Sequence, residues 1–403
     1  MIPQGLQIAK RFDDISGSAI REIFKVLALP NMISFAGGNP SADALPNELC
    51  AELAKEVLLA DGKRILQYGA TEGYPPFLES LTDYLTQMFS PYAATMSPIQ
   101  KNQILPITGS TQGMDLLCKT FLNPGDAILT ESPTFLGNVQ SLRLYQSNLI
   151  PVESDDNGLM LDKLEAAIQK HHPKLLYTIP TFQNPSGKTL AADRREPIAR
   201  MAEKYGFLIV EDDPYRDLRY TGEALPPIKA YDRSGHVAYM GSFSKLISPG
   251  LRVGYLIAQE DILRTCTIGK QSSDLQTPGL TQAIIDQYLR RNLLTPHIQA
   301  NLGPYREKMN LMLTELESFP KSISYTRPEG GLFIFVTLPE HINATKLFPE
   351  AVARGVAYVP GTYFYPEGGH DNTFRLNFSN STPAQISKGM GILRDLFKEK
   401  LNT

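Results

Sequence analysis

At 403 residues the chain is longer than one hydrophobic core usually grows, so two domains are expected. With 42% apolar and 20% charged residues it has the composition of an ordinary soluble globular protein, with no membrane span expected because its apolar runs are short. The formal charge of −3 excludes the broad basic field of a nucleic-acid binder. Residues Met1 to Leu6 carry no signal-peptide pattern, and Cys50, Cys118 and Cys266 are odd in number and far apart. A cytoplasmic protein with reduced thiols and no metal site is therefore expected.

In chain order, Ile33 to Pro40 holds the glycines Gly37 and Gly38, and Leu66 to Gly69 is a short polar turn carrying Tyr68. Apolar Ile104 to Ile107 leads into Thr108-Gly109-Ser110-Thr111-Gln112-Gly113 and then a helical pattern from Met114 to Phe121. Strand-like runs follow at Ala127–Thr130, Leu175–Ile179, Phe207–Val210, Val237–Met240 and Val253–Ala258, with helical patterns such as Leu161–Lys170 and Asp193–Tyr205 between them. That alternation predicts α/β architecture around a largely parallel sheet buried on both faces, with ligands at the carboxyl ends of the strands. From about Leu293 the character changes. A long helical pattern (Pro296 to Phe319) precedes apolar Leu332–Val336, Val356–Gly361 and Phe374–Phe378, which predicts a smaller α+β domain closing on the larger one.

The segment Gly241-Ser242-Phe243-Ser244-Lys245, with Arg252 seven positions on, combines a lysine, small hydroxyls and a guanidinium. A lysine that attacks a carbonyl needs a depressed pKa, and a phosphate needs hydroxyl donors and a guanidinium fork. Upstream, an apolar strand delivers Glu211-Asp212-Asp213-Pro214-Tyr215, and a buried acid there requires a positive partner. Asn184-Pro185-Ser186-Gly187 follows another strand; Ser110 and Thr111 open a helix whose N-terminus can receive an anion; Phe135 can lie over a planar ring. Taken singly, these segments also fit a strand-end acid, an ordinary turn, a helix cap and a core phenylalanine. Gly187-Lys188-Thr189 is not a phosphate loop, because Phe182 stands where that motif needs glycine.

Together and in this order, Gly-Ser-Thr-Gln-Gly, Asn-Pro-Ser-Gly, Glu-Asp-Asp-Pro-Tyr, Ser-x-Ser-Lys and Arg-x-Gly resemble the class I/II aminotransferases across essentially the whole chain. The branch it resembles contains the kynurenine/α-aminoadipate aminotransferases and the aminotransferase-like domains of bacterial regulators. The resemblance implies the pyridoxal 5'-phosphate (PLP) fold type I: a mostly parallel seven-stranded sheet flanked by helices, with a smaller α+β domain. It implies an N-terminal arm (1–45), a large PLP-binding domain (46–293) and a small domain (294–403). Lys245 would form the Schiff base and move protons, Asp212 would pair with the pyridine nitrogen, and Asn184 and Tyr215 would bond the ring oxygen. Ser110, Thr111, Gln112, Ser242 or Ser244, and Arg252 would hold the cofactor at its phosphate end, with Phe135 on its ring. Phe135 replaces a tyrosine frequent in the family, which removes one hydroxyl. Arg375 would take the substrate α-carboxylate, although read alone it is an edge-strand arginine facing water. Gly38 and Asn184 would lie beside the substrate, Arg21 would meet its side chain, and Tyr68 would reach the phosphate of a neighbouring subunit in a homodimer. The expected activity is amino transfer between an L-amino acid and a 2-oxo acid, with 2-oxoglutarate as acceptor. A PLP-dependent C–S β-lyase or other lyase is the alternative; a ligand-sensing regulator fits less well, because the resemblance begins too near Met1 to leave room for a DNA reader.

Overall fold

In the computed structural model the described residues are Pro3, residues 6–12 and residues 32–401. The strands, in chain order, are β1 (Ile33–Ser34), β2 (Ile104–Ile107), β3 (Ala127–Ser132), β4 (Asn148–Asp155), β5 (Gly158–Leu159), β6 (Leu175–Thr178), β7 (Leu208–Asp212), β8 (Val237–Ser242) and β9 (Gly254–Ile257). Then come β10 (Ser324–Tyr325), β11 (Phe333–Thr337), β12 (Val356–Ala357), β13 (Val359–Pro360) and β14 (Thr373–Asn377).

The large sheet has the order β2-β9-β8-β7-β6-β3-β4-β5. Its five central strands, from β8 across to β4, are mutually parallel. Helices Leu136–Leu144, Leu161–His171 and Ala192–Tyr205 supply crossovers between them. Every residue of β6, β7 and β8 is buried. The sheet has eight strands rather than the expected seven. The extra one, β5, is a two-residue hairpin partner of β4, closed by Asp156-Asn157 and admitted by the positive φ of Gly158 (88°).

Strand β9 runs antiparallel to both β8 and β2. Its direction decides how the site is built. The carboxyl ends of β2, β3, β6, β7 and β8 share one edge of the sheet, and only a reversed strand can bring its amino end there too. Arg252, just before β9, therefore arrives beside residues that follow the other strands.

The second sheet, β10-β11-β14-β13, is antiparallel, and β1 pairs in parallel with β12. The pairing of β1 carries the segment from Ala36 to Asn39 across the edge of the large sheet. Phe35 is fully buried, and a Cβ on Gly389 would come within 2.6 Å of its ring, so the helix Pro383–Leu401 closes over this segment. Among the described residues no helix is long and apolar enough to cross a membrane.

Candidate active site

A cavity of about 330 Å³ opens at the carboxyl edge of the large sheet, lined from both sheets. Asp212 ends β7; Ser242 ends β8, with Ser244 and Lys245 just beyond; Asn184 lies in the turn after β6; Ser110 and Thr111 open the helix after β2. Phe135, in the loop after β3, also lines it, as do Tyr215, Arg252, Gly38 and, from the middle of β14, Arg375.

The Lys245 Nζ donates to the Gly38 carbonyl at 2.7 Å. Burial lowers its pKa to about 8, helped by the positive charges of Arg375 and Arg252. Asp212 shows the converse. Burial raises its pKa to about 7, opposed by the Tyr177 hydroxyl, which donates to Oδ2 at 3.0 Å. Its Oδ1 is buried with no partner.

Arg375 is held on two sides: Nη1 donates to Asn184 Oδ1 at 2.8 Å and Nη2 to the Ala36 carbonyl at 2.7 Å. Its guanidinium carbon lies 4.2 Å from the Phe333 ring centroid and 5.0 Å from that of Phe364. Nε is buried without a partner, and burial lowers the guanidinium pKa to about 10, so the charge persists at neutral pH. The Asn184 amide in turn donates to the Tyr215 hydroxyl at 3.5 Å.

At the other end, the Arg252 Nη2 donates to the Thr108 carbonyl at 3.0 Å. Its guanidinium lies so close to Gly109, which caps the helix Ser110–Phe121 at φ 86°, that a Cβ there would collide with it. The helix starts four residues before the apolar periodicity predicts. Its first two residues, Ser110 and Thr111, present backbone N–H groups and hydroxyls to the cavity instead of an apolar face. Ser242 Oγ accepts from the Ser244 N–H at 3.2 Å, which ties the two serines into one turn.

The structure thus brings together Lys245, Asp212, Asn184, Tyr215, Phe135, Ser110, Thr111, Ser242, Ser244, Arg252, Arg375 and Gly38. It does not place Gln112 or Tyr68 in the cavity. The Gln112 backbone N–H is spent on the Gly109 carbonyl and its side chain is bound to Lys270 and Asp274; Tyr68 is 80% exposed. Arg21 lies outside the described residues. Sequence reasoning passed over Tyr177, whose only signal was a phenol inside an otherwise apolar strand, where a buried hydroxyl must find a partner.

The model of aminotransferases of class I and II matches residues 30–393. The chain belongs to this family. It is 39% identical, over 96% of its length and 93% of the other protein's, to aromatic-amino-acid aminotransferase 1 of Thermococcus litoralis. It is 37% identical to the 2-aminoadipate transaminase of Thermus thermophilus, covering 93% and 92% of the two chains. The crystal structure of an α-aminoadipate aminotransferase from Thermus thermophilus, complexed with N-(5'-phosphopyridoxyl)-L-leucine, superposes with a TM-score of 0.90 at 34% identity over 98% of each chain. The aminotransferase is accordingly PLP-dependent and acts on amino and 2-oxo acids. The cavity fits that cofactor on its own terms: a buried carboxylate with an unpartnered oxygen, a lysine of depressed pKa, and a guanidinium beside two hydroxyl turns.

Proposed function

We propose that this aminotransferase moves the amino group of aromatic or long-chain L-amino acids to 2-oxoglutarate. The observation that carries the reading is that Lys245, Asp212 and Arg375 line one cavity, where Asp212 and Arg375 each keep a buried polar atom without a protein partner. When bound, PLP supplies an electron sink for the charge left on the substrate α-carbon. Lys245 would hold it covalently, Asp212 at the pyridine nitrogen, Asn184 and Tyr215 at the ring oxygen, and Phe135 against the ring. Ser110, Thr111, Ser242, Ser244 and Arg252 would hold its phosphate. Arg375 takes the substrate carboxylate, with Asn184 beside it. The amine of Lys245, substantially neutral near pH 8, takes the proton from the substrate α-carbon. Leu136, Val359 and Phe364 give the remaining lining an apolar surface suited to an aromatic side chain, in keeping with the names of the relatives.

Tyr68 and Leu66 stand exposed at 80% and 74%, which supports a second copy of the chain covering them and receiving Tyr68 at its own phosphate end. The pairing of β1 with β12 supports an arm (1–45) joined to a small domain (294–403), apart from the large domain (46–293). Three free cysteines fit a reducing cytoplasm.

The test is a donor screen with 2-oxoglutarate, reading glutamate formation. Phenylalanine and tyrosine should turn over with kcat/KM at least about tenfold above alanine, the scale of pocket discrimination. Lys245→Ala should lose both transfer and the visible absorbance of bound cofactor. Release of pyruvate and ammonia, with no glutamate formed, would overturn the proposal.

A further inference from the structure

Lys270 lies near the end of the helix Glu260–Gln271, outside the cavity, yet its side chain is fully buried. It donates to Asp274 Oδ1 at 2.9 Å, to Asp274 Oδ2 at 3.1 Å and to Gln112 Oε1 at 2.6 Å. Gln112 and Asp274 are themselves joined, Nε2 to Oδ2 at 2.6 Å. Both then grip one residue. The Thr108 N–H donates to Gln112 Oε1 at 2.8 Å, and the Thr108 hydroxyl donates to Asp274 Oδ2 at 2.8 Å.

Thr108 is the hinge between this cluster and the site. Its carbonyl receives Arg252, and it immediately precedes the turn that delivers Ser110 and Thr111. A turn at a helix start has few backbone partners of its own, so its direction must be set from outside. Here an ion pair and an amide fix two groups of Thr108, its N–H and its hydroxyl, while Arg252 binds the third, its carbonyl. Burying a lysine without a partner is costly, so Lys270 holds Asp274 and Gln112 in a single arrangement.

We infer that Lys270 and Asp274, acting through Gln112 and Thr108, are positioning residues for the phosphate of the cofactor, setting Arg252 and the Ser110–Thr111 turn from behind. This rests on the proposed reading that Arg252, Ser110 and Thr111 hold the phosphate. It also gives Gln112 a role other than contact.

The experiment strips the holoenzyme and titrates it back with PLP and, separately, with pyridoxal, which lacks the phosphate. Lys270→Met should weaken PLP about 10- to 100-fold, the scale of charge-assisted hydrogen bonds, while changing pyridoxal affinity by less than about twofold. Thr108→Val, which removes the hydroxyl's bonds to Asp274 and Thr277 and leaves the backbone groups in place, should weaken PLP about 3- to 10-fold in the same phosphate-dependent way, and decides the matter if Lys270→Met does not fold. Equal losses for PLP and pyridoxal, or unchanged PLP affinity in the folded variants, overturn the inference. Arg252→Ala separates it from the reading beneath it. A PLP loss there alone refutes only the positioning role, whereas no loss there refutes the phosphate reading and the inference with it.

Discussion

Replacing Arg375 by lysine keeps the charge and removes the fork. A guanidinium carries five N–H donors. In this structure one goes to Asn184 and one to the Ala36 carbonyl, leaving three, among them the buried, unpartnered Nε. Those remaining donors are what a carboxylate can meet in bidentate fashion. A lysine ammonium cannot serve Asn184, Ala36 and a substrate together. With hydrogen bonds to charged groups at about 1.5–3 kcal/mol each and one of two contacts partly restored, the loss is about 2–4 kcal/mol. That corresponds to about 30- to 1,000-fold in kcat/KM. The carboxylate is bound in ground state and transition state alike, so most of the loss should fall on KM. The assay is single-turnover conversion of the bound cofactor by L-phenylalanine and by phenethylamine, which lacks the carboxylate. Arg375→Lys should slow the first by that factor and leave the second nearly unchanged. An equal fall for both would show that Arg375 only braces Asn184 and Ala36, and would refute its assignment to the substrate.

Two further outcomes follow from the buried titrating groups. Lys245, lowered to about 8, should attach PLP to the cofactor-free protein at a rate that rises about tenfold per pH unit below 8 and levels off above it. A rate still climbing at pH 10 would mean that the amine is not depressed. Glu131, buried at the end of β3, is raised to about 7 by burial, although the Ile179 N–H (3.0 Å) and the Gln183 amide (3.3 Å) donate to it. A carboxyl raised in the folded state contributes stability that is present below its unfolded pKa and is lost as pH rises through the folded one. Stability of the cofactor-free protein should therefore fall between about pH 4.5 and 7, and less steeply in Glu131→Gln; urea midpoints at pH 5 and 7.5 that shift equally in both proteins would refute this.

What could be read in advance was local. Apolar strands with polar residues at their carboxyl ends are visible in one dimension, and so are the turns that follow them. Three strand ends were read too short, whereas Leu175–Ile179 and Val253–Ala258 were read longer than β6 and β9. Glu131 and Ser132 continue β3, Glu211 and Asp212 continue β7, and Gly241 and Ser242 continue β8, because ladder pairing and burial extend past the first polar side chain. Contacts across the fold left no such trace. Tyr177 meets Asp212 from 35 residues away, and Lys270 meets Gln112 across 158. Gln112 sits inside a polar motif and is diverted from the cavity by partners whose approach no local pattern encodes.

The three consecutive acids at the end of β7 show how one of them comes to face the site. Side chains on a strand alternate between its two faces, so Asp212 must point away from Glu211 and Asp213. The structure gives each face its own partners. Glu211 accepts from the Ile228 and Lys229 N–H groups at 2.8 and 2.7 Å, and Asp213 accepts from the Tyr239 hydroxyl at 3.1 Å. Asp212 alone of the three lines the cavity. Burial raises all three pKa values, and the repulsion between Glu211 and Asp213 adds to the shift on Glu211. An acid that stays ionised on this strand must therefore find a positive partner on its own face, and under the proposed function the bound cofactor would supply that partner on the cavity side. A shift of one residue in the register of β7 would turn Asp212 away from the cavity and direct Glu211 and Asp213 towards it. The pairing of Asp212 with Met240 and of Glu211 with Tyr239 on β8 is thus as much a part of the active site as the carboxylate itself.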